Sequence, residues 1–250
     1  MLRLPHLPAA SNVNNSLARK ALAECVGTAL LVAAVIGSGI SAANLSPGNV
    51  GLQLFENAVA TAGALVAIIL AVGSVSGAHL NPLVTLADRF YGGVTTKATG
   101  VYIAAQTVGG ILGAMAANVM FSEPVVSWST KHRATGPHLF AEVIATFGLL
   151  LVIFGTVHSG RRTAVPFAVA AYIGGAYFFT SSTSFANPAV AIARMFSNTF
   201  AGIAPSSVPG FIAAECIGAV IAVLSLVVLY PTVRKDATKV LVPHEDATSS

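Results

Sequence analysis

Two short segments of this chain combine residue types that act through a helix start. Asn81-Pro82 and Asn187-Pro188 each place a preferred helix N-cap ahead of a residue preferred at the first helical position. The apolar runs that follow are about ten residues long, too short to cross a bilayer. Small residues precede both: Ser76-Gly77-Ala78-His79 and Ser181-Ser182-Thr183-Ser184. Each segment is therefore predicted to be a re-entrant loop feeding a half-helix, over 81–90 and 187–196. Non-helical backbone at membrane depth is tolerated only when it is buried in protein or lines a wet cavity. A helix start carries roughly half a positive charge, and each Asn adds an amide donor. Where two such starts face each other, a cation loses hydration against a positive potential, while a neutral solute with oxygen lone pairs meets two donors. That chemistry is passage, not bond making. The plainer alternative is that each Asn-Pro pair caps an ordinary buried helix; two pairs at matched places in a repeat argue against it.

Three acids, Glu24, Glu142 and Glu215, fall inside apolar stretches, and Glu56 lies near the end of another. Charge at the centre of a bilayer is costly, so such residues face the interior of a helix bundle. They could hold structure or relay protons. His79, two residues before Asn81, is either a pore group or a hydrogen-bonded packing residue. His158, beside Gly160-Arg161-Arg162, reads as a loop residue or a pH gate. No metal-ligand spacing, P-loop, dinucleotide fingerprint or hydrolase elbow occurs, so no metal, cofactor or enzymatic activity is expected.

The elements that position these groups follow from composition. Charged residues make up 9% of the 250 positions, against roughly 25% in soluble domains, so most of the surface faces lipid. Six apolar stretches are long enough to read as spans: about 17–43, 54–73, 98–120, 139–157, 164–180 and 208–230. No cleavable leader is expected, because residues 1–16 contain no apolar run. Cys25 and Cys216 sit far apart within spans and are expected to be small buried hydrophobes, not a disulfide. With both termini cytoplasmic, ten of the 13 Lys and Arg fall inside, and only Lys131, Arg133 and Arg194 fall outside. The net charge of +4 is thus a topology signal, not a nucleic-acid footprint.

The chain also repeats itself. AECVGT (23–28) matches AEVIAT (141–146), HLNPLVT (79–85) matches FANPAVA (185–191), and VYIAAQTVGG (101–110) matches GFIAAECIGA (210–219), in one order. An odd number of spans per half inverts the second half, which places the working site where the halves meet near the midplane. The expected organisation is a tail over 1–16, a first repeat over 17–120, an extracellular loop over 121–137, a second repeat over 138–230 and a tail over 231–250. The fold class is all-α: six transmembrane helices and two re-entrant half-helices in an inverted repeat.

Over roughly residues 17–230, AECVGT, SGAHLNPLVT, AEVIAT and SFANPAVAIAR, together with the order of spans, resemble the aquaporin, or major intrinsic protein, family. The resemblance implies tetramers in the plasma membrane with one pore per subunit, passing water, glycerol or similar neutral solutes. It implies that Glu24 and Glu142 accept hydrogen bonds from the re-entrant loops, that Asn81 and Asn187 line the pore, and that Pro82, Pro188 and Ala189 support them. Lipid and small neutral solutes are the implied partners, with no nucleic acid.

Two positions depart from the family pattern. Leu83 stands where the first motif has Ala, adding bulk beside the second loop. Val190 stands where members usually place a filter arginine. Spacing puts Thr61 and Ser184 at two further filter positions. For the fifth span, counting back from Asn187 gives Gly175 and counting forward from Pro166 gives Tyr177. A ring with Thr, Ser and Val is wider and less polar than a water-only filter and points to larger uncharged solutes. Members lacking the arginine include a bacterial branch associated with arsenic resistance, so the similarity extends the implied solutes to undissociated arsenous acid. Arg194, one turn beyond Val190 on the same face, either keeps a charge in the outer vestibule or snorkels to headgroups. The rival functional readings are a proton-coupled secondary transporter with inverted repeats and a junctional protein with a closed pore.

Overall fold

A computed structural model describes residues 16–231. The expected tails over 1–16 and 231–250 therefore lie almost wholly outside the described residues. Those described form eight α-helices and two 3-10 turns, with no strand. The helices are α1 (Leu17–Leu45), α2 (Val50–Ser76), α3 (Pro82–Tyr91), α4 (Thr96–Met120), α5 (Gly136–His158), α6 (Val165–Phe179), α7 (Pro188–Arg194) and α8 (Val208–Leu229). Caps fix many of the starts: the side chains of Ser16, Asn49, Thr95 and Thr135 each accept from a backbone N–H of the first turn.

Among the described residues, α1, α2, α4, α5 and α8 with its leading 3-10 turn are long and apolar enough to cross a membrane. The remaining expected span, 164–180, differs. Its helix α6 has 15 residues, or about 22 Å, against the roughly 30 Å of a hydrocarbon core. A 3-10 turn, Arg162–Ala164, leads into it and Thr180 leaves it in extended conformation.

The packing obeys the repeat. In the first half α1 packs against both α2 and α4; in the second α5 packs against both α6 and α8. The halves meet through α2 with α6 and through α4 with α7. Glycine permits the closest of these approaches. A Cβ on Gly109 would overlap the Cys25 carbonyl, and one on its repeat mate Gly218 would overlap the Val143 carbonyl. Small residues therefore let the α1–α4 and α5–α8 backbones touch, the means by which helices associate without a hydrophobic drive between them.

Two expectations change here. Cys216 is exposed on α8 and Cys25 half-buried, so the pair is not two buried hydrophobes. The reason is helical phase: Glu215, one residue earlier, takes the interior position and turns its neighbour outward. His158 is not a loop residue either; it ends α5 and stacks on Tyr230, with ring centroids 4.4 Å apart.

Candidate functional site: a cavity between two capped half-helices

Against the expected 81–90 and 187–196, the two short helices run Pro82–Tyr91 and Pro188–Arg194. Asn81 caps α3, its Oδ1 accepting from Leu83 N at 2.9 Å. Asn187 caps α7, accepting from Ala189 N at 3.0 Å and Val190 N at 3.4 Å. Pro82 and Pro188 occupy the first helical position, where their missing N–H costs nothing.

Each Asn amide then crosses to the opposite loop. Asn81 Nδ2 donates to the Ala186 carbonyl at 2.7 Å, and Asn187 Nδ2 donates to the Leu80 carbonyl at 2.8 Å. An amide carries two N–H donors. The cross-brace uses one from each Asn, and both residues line one cavity. Each therefore keeps a second N–H that no described residue accepts.

The loops reach this geometry through left-handed backbone at matched positions. Ala78 (φ 49°) and Leu80 (φ 51°) stand three and one residues before Asn81; Ser184 (φ 52°) and Ala186 (φ 48°) stand three and one before Asn187. For residues with a Cβ this costs about 1–3 kcal/mol each. Two buried acids hold it. Glu24, 0% exposed, accepts from His79 N at 2.9 Å, Leu80 N at 2.7 Å, Ser76 Oγ at 2.6 Å and Gln106 Nε2 at 2.7 Å. Glu142, also 0% exposed, accepts from the repeat-related Phe185 N at 2.9 Å and Ala186 N at 2.7 Å. Glu215 Oε1 accepts from Asn187 N at 3.1 Å.

The cavity measures about 70 Å³. Its wall includes loop residues 78–81 and 184–187, apolar side chains such as Val35, Leu149 and Ile153, and Thr61, Tyr177, Val190 and Arg194. The Thr61 and Tyr177 hydroxyls share a hydrogen bond of 3.1 Å. Between the two registers for the fifth span, Tyr177 lies on the cavity and Gly175 lies exposed on the far side of α6. Ser184 Oγ is buried with no hydrogen-bond partner among the described residues.

Three further residues can be placed. Leu83 is buried in the core and does not line the cavity. His79 is at the cavity wall, yet its side chain is 1% exposed, with Nδ1 3.1 Å from Thr85 Oγ1, Nε2 3.7 Å from Asp88 and its ring edge-on to Tyr102. Arg194 is 3% exposed, so it does not extend to headgroups. Its guanidinium lies 3.5 Å from the Phe185 ring centroid and its Nε donates to the Ala201 carbonyl. Sequence reasoning missed Phe185 and Ala201 as its partners, because nothing in spacing links residues 194 and 201 across a loop.

The loop between α4 and α5 adds two cations. Lys131 Nζ donates to the Thr199 and Phe200 carbonyls, and Arg133 to the Gly202 and Phe200 carbonyls. Burial first, then the Arg133 and Arg194 charges, lower the Lys131 pKa to about 8. Burial likewise lowers that of Arg133.

The family model for the major intrinsic protein matches residues 11–182, more than half of the sequence. The chain belongs to the major intrinsic protein family. Among curated relatives of this major intrinsic protein, the aquaglyceroporin AqpS of Rhizobium meliloti (strain 1021) is 46% identical over 206 residues, covering 82% of this chain and 88% of that one. The glycerol uptake facilitator protein of Bacillus subtilis (strain 168) is 36% identical over 155 residues, 52% of each chain. The X-ray structure of the aquaglyceroporin from Plasmodium falciparum superposes with a TM-score of 0.67 at 22% identity, covering 87% of this chain and 99% of that one. That likeness establishes the fold, with α3 and α7 as the two short helices among the longer ones. The named relatives are channels and facilitators, not enzymes. This major intrinsic protein is a multi-pass membrane protein.

Proposed function

We propose that this chain forms a passive pore for small uncharged solutes, water and glycerol-like polyols among them, with undissociated oxyacids such as arsenous acid as further candidates. The observation that carries it is the pair of cross-braced asparagines, each with one N–H left for the cavity. A hydroxyl solute can exchange its water contacts for these donors; a cation finds two helix starts instead. In this reading Thr61, Tyr177, Ser184 and Val190 form the constriction. The relatives, an aquaglyceroporin and a glycerol uptake facilitator by name, support solutes larger than water. The pore works in a homotetramer in the plasma membrane, with both termini cytoplasmic and residues 121–137 outside.

Purified protein in liposomes tests this by stopped-flow light scattering. Glycerol flux is expected to rise linearly with gradient and to be indifferent to a proton gradient. Saturating flux that follows protons would favour the coupled transporter, and no flux at all would favour the closed-pore junctional protein.

Arg194 supplies the vestibule charge in the same proposal. Its terminal nitrogens have no protein acceptor among the described residues, and the residue lines the cavity. Arg194→Leu is expected to retain glycerol flux and to introduce a potassium leak in the same vesicles. An unchanged ionic baseline would reduce Arg194 to a packing residue.

A further inference from the structure

The two halves hold their loops with different chemistry at one matched position. Under the offset that aligns residues 101–110 with 210–219, Gln106 on α4 corresponds to Glu215 on α8. Gln106 gives its amide N–H to Glu24 Oε2 at 2.7 Å, completing the carboxylate that holds the first loop. Its mate Glu215 stands beside Glu142, the carboxylate that holds the second loop: Glu142 accepts from the Phe185 and Ala186 N–H groups and Glu215 from the next one, Asn187 N. Both glutamates are 0% exposed. A carboxylate, unlike an amide, has nothing to donate.

The accounting of donors is short by one. Glu142 takes one backbone N–H on each oxygen, and Glu215 Oε1 takes the N–H of Asn187. Glu215 Oε2 is buried with no donor among the described residues. The nearby cations do not supply it: Arg194 gives its Nε to Ala201 and its face to Phe185, and Arg133 gives its donors to Gly202 and Phe200. Two like charges side by side in a protein interior repel strongly, because little solvent screens them. Two carboxyl groups sharing such a site hold one proton between them.

We propose that Glu142 and Glu215 share a single proton, with Glu215 Oε2 as its seat, so that a carboxylic O–H does for the second loop what the Gln106 amide does for the first. Glu215 is thus a positioning residue. It donates to Glu142 through one oxygen and accepts from Asn187 through the other, tying the loop carboxylate to the pore asparagine. This holds whichever solute passes.

Glu215→Gln keeps both jobs, since an amide N–H replaces the O–H. Infrared spectra of the full chain in liposomes should show the carbonyl stretch of a protonated carboxylic acid. That band should lose intensity in Glu215→Gln while glycerol flux stays within about twofold. Any band from buried Asp88 is common to both proteins and cancels in the difference. Gln106→Glu is the converse arm: it builds a second pair against Glu24 and should add intensity to the same band. Glu215→Leu, which leaves Asn187 N unpaired, should lose most flux. An unchanged band in folded Glu215→Gln would overturn the proposal. So would a Gln106→Glu protein that gains no band, and that arm decides the matter if Glu215→Gln does not fold.

Discussion

Glu24→Leu is expected to yield no folded channel. The substitution removes both acceptor oxygens from a site with no water access and leaves four donors facing it: Ser76 Oγ, His79 N, Leu80 N and Gln106 Nε2. A buried donor without a partner costs about 1–3 kcal/mol. Gln106 Nε2 also lies 3.0 Å from Thr85 Oγ1, so it keeps one partner, and Ser76 Oγ can turn. The two backbone donors cannot turn without giving up the left-handed conformation at Ala78 and Leu80. The loss is then at least about 2–6 kcal/mol, a large part of the 5–15 kcal/mol of a typical domain. Glu24→Gln should be nearly as damaging, because its amide sets donor against donor at one of the two oxygens. Size-exclusion profiles in mild detergent check this. A monodisperse Glu24→Leu protein with wild-type melting would show that the first loop is held by something else.

The second large effect concerns selectivity. Val190→Arg is expected to cut glycerol flux at least tenfold while reducing water flux much less, a difference of about 1.4 kcal/mol in barrier. Val190 lines the same cavity as the Thr61–Tyr177 hydroxyl pair, a space of about 70 Å³. A guanidinium there fills room that a three-carbon solute needs and leaves a path for single waters. It also lies one turn from Arg194, which is 3% exposed, so two cations would share one buried face. The double variant Val190→Arg with Arg194→Leu should therefore recover stability but not glycerol flux. Stopped-flow measurement of both solutes on each variant separates the outcomes. Equal loss of water and glycerol would place the size limit elsewhere in the cavity.

Much of the site was legible because its residues act through local rules. Asn followed by Pro writes a helix start whatever surrounds it, and two starts in an inverted repeat leave few ways to arrange them. Glu24 and Glu142 stand out because acids in apolar helices need partners. The fifth span was not legible. Gly175 and Tyr177 differ by two residues, about 200° around a helix of 3.6 residues per turn, so a register slip of two exchanges the cavity face for the outer face. α6 has 15 residues and few polar marks, and nothing local fixes its phase. Arg194 was ambiguous for another reason. An arginine near a helix end reads alike whether it reaches lipid or folds inward, and only the Phe185 ring and the Ala201 carbonyl decide it.

The asparagine cross-brace also sets an order of assembly. The Leu80 carbonyl and one Asn81 N–H find their mates at Asn187 and Ala186, more than a hundred residues later in the chain. While the ribosome is still making the intervening helices, the first re-entrant loop can dip toward the membrane interior but has nothing to close against. The first half therefore inserts as an unfinished piece, and the nascent chain should remain in the care of the insertion machinery until the second loop arrives. The pore seals in one late step, when both loops lock together.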